Sequence, residues 1–243
     1  MARQRVPSGP PAAPPVQRLR LRYAKRGRLR FSSTRDFQRA LERALRRAAV
    51  PMAFSSGFHP HPRISYANAA PTGTASEAEY VEIALVERVD PEAVRAALDA
   101  ALPVGLDIVE VAESPGGSLA DLLEASEWRL EFAGVGQGEL EAARAEFLGR
   151  DTAEVTRMFK TGEKTLDARA AVVEMTATSA EDGSCAILRM VVRHTTPAVR
   201  PDDILTALRT YAHLAPESPP AVTRLAQGPL TDAGVVDPLA TRA

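Results

Sequence analysis

From Gln17 to Glu113 the apolar residues switch between a spacing of two and a spacing near 3.6, and the order of those switches restricts the fold more than any composition figure. "QRLRLRY" places Leu19, Leu21 and Tyr23 on one side of a strand and Arg18, Arg20 and Arg22 on the other. After a "KRGR" turn, "LRF" continues the strand or opens a hairpin arm, with Tyr23 and Phe31 on the core side. Phe37, Ala40, Leu41, Ala44, Leu45 and Ala48 then form one continuous helical stripe. Ser33 or Thr34 caps this helix, Asp36 suits its positive end, and Pro51 stops it. An extended stretch through "GFHPHPRIS" follows. Then come the strand "EYVEIALVE", the helix "DPEAVRAALDAAL" with Asp90 as its cap, and the strand "GLDIVEVAE".

A similar order repeats downstream. "EWRLEF" reads as a strand, "GELEAARAEFL" as a helix and "KTLDARAAVVEMTA" as an extended segment. "CAILRMVVRH" is a strand, "RPDDILTALRTY" a helix and "AVTRLA" a last strand. The expected fold class is α+β, with tandem ferredoxin-like β-α-β-β-α-β subdomains built on antiparallel sheets. Residues 17–113 form the basic N-terminal subdomain, 114–126 a linker around "SPGGS", and 127–228 the second subdomain. Residues 1–16, rich in proline and alanine, are expected to be disordered, and 229–243 a flexible tail.

Charge is strongly segregated. Residues 1–63 hold 15 Lys and Arg against only Asp36 and Glu42, an excess of 13 positive charges. The other 180 residues carry 15 bases and 29 acids, a net charge of −14. Such a front end suits a polyanion, or else pairs internally with acids such as Glu82 on a neighbouring strand. Cys185 is the single cysteine, which excludes an internal disulfide and any cluster held by several cysteines of this chain. No secretory leader or membrane-length apolar run is evident, so a cytoplasmic setting without membrane contact is expected.

The stretch "SSGFHPHPRIS" carries the main chemical question. Each histidine precedes a proline and is pushed toward extended backbone, so His59, His61 and Arg63 line one edge. No neighbouring ligands complete a metal site there, and neither a metal nor a cofactor is expected. His61 is a weak candidate for a general base. The favoured role is contact with a substrate or partner through Ser55, Gly57, Phe58, His59, His61 and Arg63. Arg18, Arg20, Arg22, Arg39, Arg43, Arg46 and Arg47 supply a cationic surface for RNA phosphates. "TRMFKTGEKTLDAR" reads as a second basic loop, contributing Lys160, Lys164 and Arg169. "GVGQG" is a turn rather than a nucleotide cradle, because it lacks the required spacing and a parallel βαβ context. His194 and His213 stand alone and read as structural.

The run "RLRFSSTRDFQRALERALRRAAVPMAFSSGFHPHPRISYANAAPTGTASEAEY" resembles an uncharacterised bacterial family linked to radical SAM proteins. Its members occur as separate partners or as the C-terminal part of the radical SAM polypeptide. The likeness continues through "FKTGEKTLDAR", "TPAVRPDDIL" and "VTRLAQGPL". It highlights Ser33, Asp36, Arg39, Glu42, Arg43, Arg46 and Arg47, and then Ser55, Gly57, Phe58, Pro60, Pro62 and Ser65. Gly73, Ser76, Glu79, Lys160, Asp167, Arg169, Arg200 and Pro201 complete the pattern. Thr34 and His59 depart from it, where relatives often carry histidine and asparagine. A radical SAM enzyme needs three closely spaced cysteines, so the resemblance implies an accessory partner rather than the cluster-bearing enzyme. The oligomeric state is left open.

Overall fold

The computed structural model describes residues 12–56 and 58–240. It is a mixed α+β chain with a mostly antiparallel sheet and six helices among the described residues. Two compact units emerge. The first holds the described residues up to Thr72 together with Glu79–Ala120, and the second holds Gly73–Ala78 and the described residues from Asp121.

The first unit contains β1 (Gln17–Lys25), α1 (Thr34–Arg47), β2 (Ile64–Ala67), most of β3 (Ala75–Leu85), α2 (Pro91–Ala101) and β4 (Ile108–Glu113). Its strands lie in the order β4-β1-β3-β2. Leu19, Leu21 and Tyr23 bury with Val81, Ile83, Leu85 and Ile108 against Phe37, Leu41 and Leu45 of α1 and Val94 and Leu98 of α2. Each such large side chain contributes on the order of 1.5–3 kcal/mol by leaving water. Ser33 and Asp36 close a reciprocal capping box at the start of α1, and the Asp90 carboxylate accepts the Glu92 and Ala93 N–H groups at the start of α2.

The "LRF" segment departs from the strand expectation. Gly27–Phe31 forms a 3-10 turn that begins at Gly27, whose φ of 52° favours glycine. Phe31 consequently points outward, 59% exposed with the Arg30 guanidinium over its ring, and does not serve the core.

The second unit contains α3 (Leu119–Leu122) in part, β5 (Ala125–Ala133), α4 (Gln137–Leu148), β6 (Glu154–Phe159) and β7 (Gly162–Asp167). It continues with α5 (Ala168–Ala171), β8 (Val172–Ser179), β9 (Cys185–Arg193), α6 (Pro201–Ala212) and β10 (Ala221–Gly228). Here the order is β10-β5-β9-β8, and the first residues of β3 join it, with Ala75 and Ser76 pairing in parallel with Thr223 and Arg224. Trp128, Leu130, Phe132, Leu188 and Met190 pack on Leu140 and Phe147 of α4 and Ile204 and Leu208 of α6. The segment "KTLDARAAVVEMTA" is not continuously extended. The Asp167 carboxylate accepts the Arg169 and Ala170 N–H groups and starts the single turn α5.

Residues expected as a loose tail are ordered as far as they are described. β11 (Leu230–Thr231) pairs with β12 (Gly234–Val235), the Val236 N–H donates to the Pro229 carbonyl, and Leu239 is buried. Residues 241–243 lie outside the described residues, as do residues 1–11 of the expected N-terminal tail. Of its remainder, the Val16 N–H donates to the Leu85 carbonyl. No helix of the described residues is long and apolar enough to cross a membrane.

Candidate anion-binding surface

On β1 the arginines project from the side opposite the leucines, as the alternation requires, but carboxylates meet them. Arg20 is 1% exposed, and its Nε donates to Glu82 Oε2 at 3.0 Å while Nη2 donates to the carbonyls of Gly116 and Gly117. Arg18 Nη1 reaches Glu82 Oε1 at 3.1 Å, and Ser114 Oγ donates to Glu82 Oε2 at 2.9 Å. Burial raises the Glu82 pKa, yet hydrogen bonds from Arg20, Ser114 and Arg18 outweigh it and hold the carboxyl below its usual value. Arg22 pairs with Glu110. Arg20 is therefore a buried strut and offers nothing to an outside phosphate, whereas Arg18 keeps an exposed edge.

The "SSGFHPHPRIS" stretch forms a narrow arm. The Arg63 N–H donates to the Ala53 carbonyl, the Ser55 N–H to the His61 carbonyl, and the His61 N–H to Ser55 Oγ at 3.0 Å. Pro60 and Pro62 carry no N–H to donate and push the preceding histidines toward extended backbone. Phe58 is 59% exposed, Phe54, His59 and His61 are also exposed, and Gly57 lies outside the described residues. The His61 ring has no hydrogen-bond partner among the described residues, so nothing orients it as a base. Nor do the described residues bring three or more His, Cys, Asp or Glu together as metal ligands. At the foot of the arm lies a cleft of about 310 Å³ lined by Arg18, Ser55, His61, Arg63, Ser65 and Glu82.

α1 carries a row of exposed cations outside any ion pair among the described residues. Arg39, Arg43, Arg46 and Arg47 are exposed on the side away from Phe37, Leu41 and Leu45, and among the described residues none has a carboxylate within ion-pair distance. Arg35 extends the stripe one turn toward the N-terminus. Reading the helix backward from Arg39 by four residues is the signal that finds it.

"TRMFKTGEKTLDAR" is a hairpin, β6 paired with β7, and not a loop. Lys160 sits exposed at its turn, where Gly162 adopts φ 107°, and Lys164 lies 5.4 Å from the Phe159 ring centroid. Arg169 donates to the Leu148 and Val172 carbonyls, and Arg157 pairs with Asp203. Among residues the resemblance highlights, Ser33, Asp36, Glu79, Asp167, Arg169 and Arg200 thus have work in the fold. Glu79 accepts the Ala70 N–H, and the Arg200 N–H donates to Asp203.

His194 is structural in a specific way. Its Nδ1 lies 2.6 Å from the Leu123 carbonyl, which fixes the proton there, so Nε2 accepts the Ser126 hydroxyl at 2.7 Å. This pair has nucleophile–base geometry, but Ser126 is fully buried among the described residues. Burial lowers the His194 pKa, the Leu123 carbonyl opposes that, and Arg224 adds to it. With the folded value below the ordinary 6.5, the unfolded chain takes the proton first. The contribution is complete above about pH 6.5 and is lost as pH falls toward the lowered folded value. Urea midpoints measured at pH 7.5 and 5.5 should therefore drop on acidification, and His194→Gln should flatten that drop.

The family model of an uncharacterised protein conserved in bacteria, DUF2344, matches residues 18–201. The chain belongs to this family. The DUF2344 match takes in α1, the arm, the cleft and the β6–β7 hairpin, and it ends at the first residue of α6. No curated protein matches the chain. Among solved structures, DyPB from Rhodococcus jostii RHA1, crystal form 2, aligns with 12% identity over 89% of this chain and 92% of that one. Its TM-score is 0.20, too low to carry an argument about fold.

Proposed function

We propose that this DUF2344 protein binds single-stranded RNA through the exposed face of α1, as the accessory partner of a radical SAM protein. The observation that carries the reading is the contrast between β1, whose arginines pair with carboxylates, and α1, whose five exposed arginines form no ion pair among the described residues and meet only the field of Asp36, at Arg39 and Arg35. At 1.5 Å rise per residue, Arg35 to Arg47 is a cationic stripe about 18 Å long. Exposed aromatics flank it in sequence, Phe31 before the helix and Phe54 and Phe58 after it. Phosphate-tracking cations beside sequence-tolerant stacking rings are what single-strand binders combine. The radical SAM partner rests on the family resemblance and on the single cysteine of this chain. The strand orders β4-β1-β3-β2 and β10-β5-β9-β8 support reading the two units as ferredoxin-like repeats, the second with the β6–β7 hairpin inserted.

The test is a salt titration of a labelled oligoribonucleotide. Binding should weaken by about 0.7 log unit per log unit of salt for each neutralised phosphate. The combined Arg39→Gln, Arg43→Gln, Arg46→Gln and Arg47→Gln variant should lose about that much slope for each contact removed. Absence of binding by the unaltered protein at low salt rejects the RNA reading. Partner capture that survives nuclease treatment would then favour a protein adaptor, for which the exposed Phe54 and Phe58 are the anchors.

A further inference from the structure

The cleft at the foot of the arm has a donor inventory that its own acceptors do not use. Glu82, its carboxylate, already accepts three hydrogen bonds, from Arg18, Arg20 and Ser114. Arg63 is half-buried on the wall and has no hydrogen-bond or ion-pair partner for its guanidinium among the described residues. Arg18 spends one nitrogen on Glu82 and keeps its side chain about half exposed. Arg20, buried behind the cleft and not part of its lining, balances the Glu82 carboxylate, which leaves the lining guanidiniums of Arg18 and Arg63 as two uncompensated positive charges. Ser55 and Ser65 add hydroxyls, and Ser55 Oγ, occupied as an acceptor by the His61 N–H, still has its own proton to give.

A ligand that only accepts hydrogen bonds and carries close to two negative charges fits this set. We propose that the cleft binds a phosphate monoester. Such a group carries about −1.5 to −2 charges at pH 7 and presents three acceptor oxygens, and guanidinium forks match its geometry. A cleft of about 310 Å³ has room for more than the phosphate itself, so the ester carries a sugar-sized group. Two sources offer this chemistry, a free nucleoside monophosphate and the phosphorylated end of an RNA strand. The site stands apart from the α1 stripe and does not depend on RNA being bound there.

Calorimetric titration with uridine 5′-monophosphate and with uridine tests the site. The monophosphate should bind and uridine should not. Arg63→Gln should weaken the monophosphate at least about tenfold, the loss expected for one charge-assisted hydrogen bond. Should Arg63→Gln fail to fold, Arg18→Gln combined with Ser65→Ala takes its place, because Arg18 is exposed and Arg20 keeps Glu82. Oligoribonucleotides of one sequence ending in 5′-phosphate, 3′-phosphate or hydroxyls separate the sources. Preference for one phosphorylated end assigns the site to an RNA terminus, and equal binding of all three beside a bound monophosphate assigns it to a free nucleotide. The α1 arginine variant should keep monophosphate binding even where RNA binding is lost. Equal response to monophosphate and uridine, with no gain from either phosphorylated end, overturns the proposal.

Discussion

Replacing Glu82 with alanine is expected to destabilise the protein by about 3–5 kcal/mol, the cost of leaving one partner of a buried ion pair uncompensated. Arg20 sits 1% exposed, and among the described residues Glu82 is the only charge that meets it. Its remaining bonds go to the carbonyls of Gly116 and Gly117, which satisfy hydrogens without balancing charge. Arg18→Ala should cost no more than about 1 kcal/mol, because that half of the cluster faces water. Acid adds a second signature. The Glu82 carboxyl titrates below its ordinary 4.5 in the folded chain, so its contribution is complete above that value and is lost as pH falls through the folded one. Urea denaturation of the wild type should weaken below about pH 4.5, and Glu82→Gln should weaken less over the same interval. A cost under about 1 kcal/mol for Glu82→Ala would mean that Arg20 reaches another anion or water.

The same cluster marks how far the sequence carries. The leucine–arginine alternation of "QRLRLRY" placed both faces of β1 correctly, because side-chain direction in a strand depends only on parity. It left open whether the polar face is wet. That depends on β3, more than fifty residues away, which brings Glu82 across, and on the "SPGGS" carbonyls, which close over Arg20. The α1 stripe was legible through Arg39, Arg43, Arg46 and Arg47, because a helix sets its own faces, and only Arg35, one turn earlier, was missed. Phe31 was misplaced because extending the β1 parity through "KRGR" assumes no change of backbone, and Gly27 makes one. The cleft could not be read at all as a set. Ser55, Arg63 and Ser65 are near in sequence, but Arg18 and Glu82 reach them only through sheet pairing. The tail after Pro229 looked loose because Ala, Asp and Gly say little locally, and its docking depends on Gly228, whose importance is steric and tertiary.

That glycine gives the second large effect. Gly228→Ala is expected to cost about 1–3 kcal/mol, the range for forcing volume into a closed contact. A Cβ there would stand 2.0 Å from the Val236 carbonyl oxygen and 2.9 Å from Pro238 Cδ, and the first of these is backbone that cannot rotate away. The opposing chain is held by the Val236 N–H on the Pro229 carbonyl and by buried Leu239, so relief requires either the end of β10 to shift or the tail to undock. Limited proteolysis distinguishes these, since an undocked tail exposes new cleavage sites between Thr231 and Ala240. A double-mutant cycle fixes the cause. In a chain ending at Thr231, Val236 and Pro238 are gone, and alanine, which orders at lower entropic cost than glycine, should be neutral or slightly stabilising at 228. An equal cost with and without the tail would place the strain within β10 itself and remove Gly228 as the seat of tail docking.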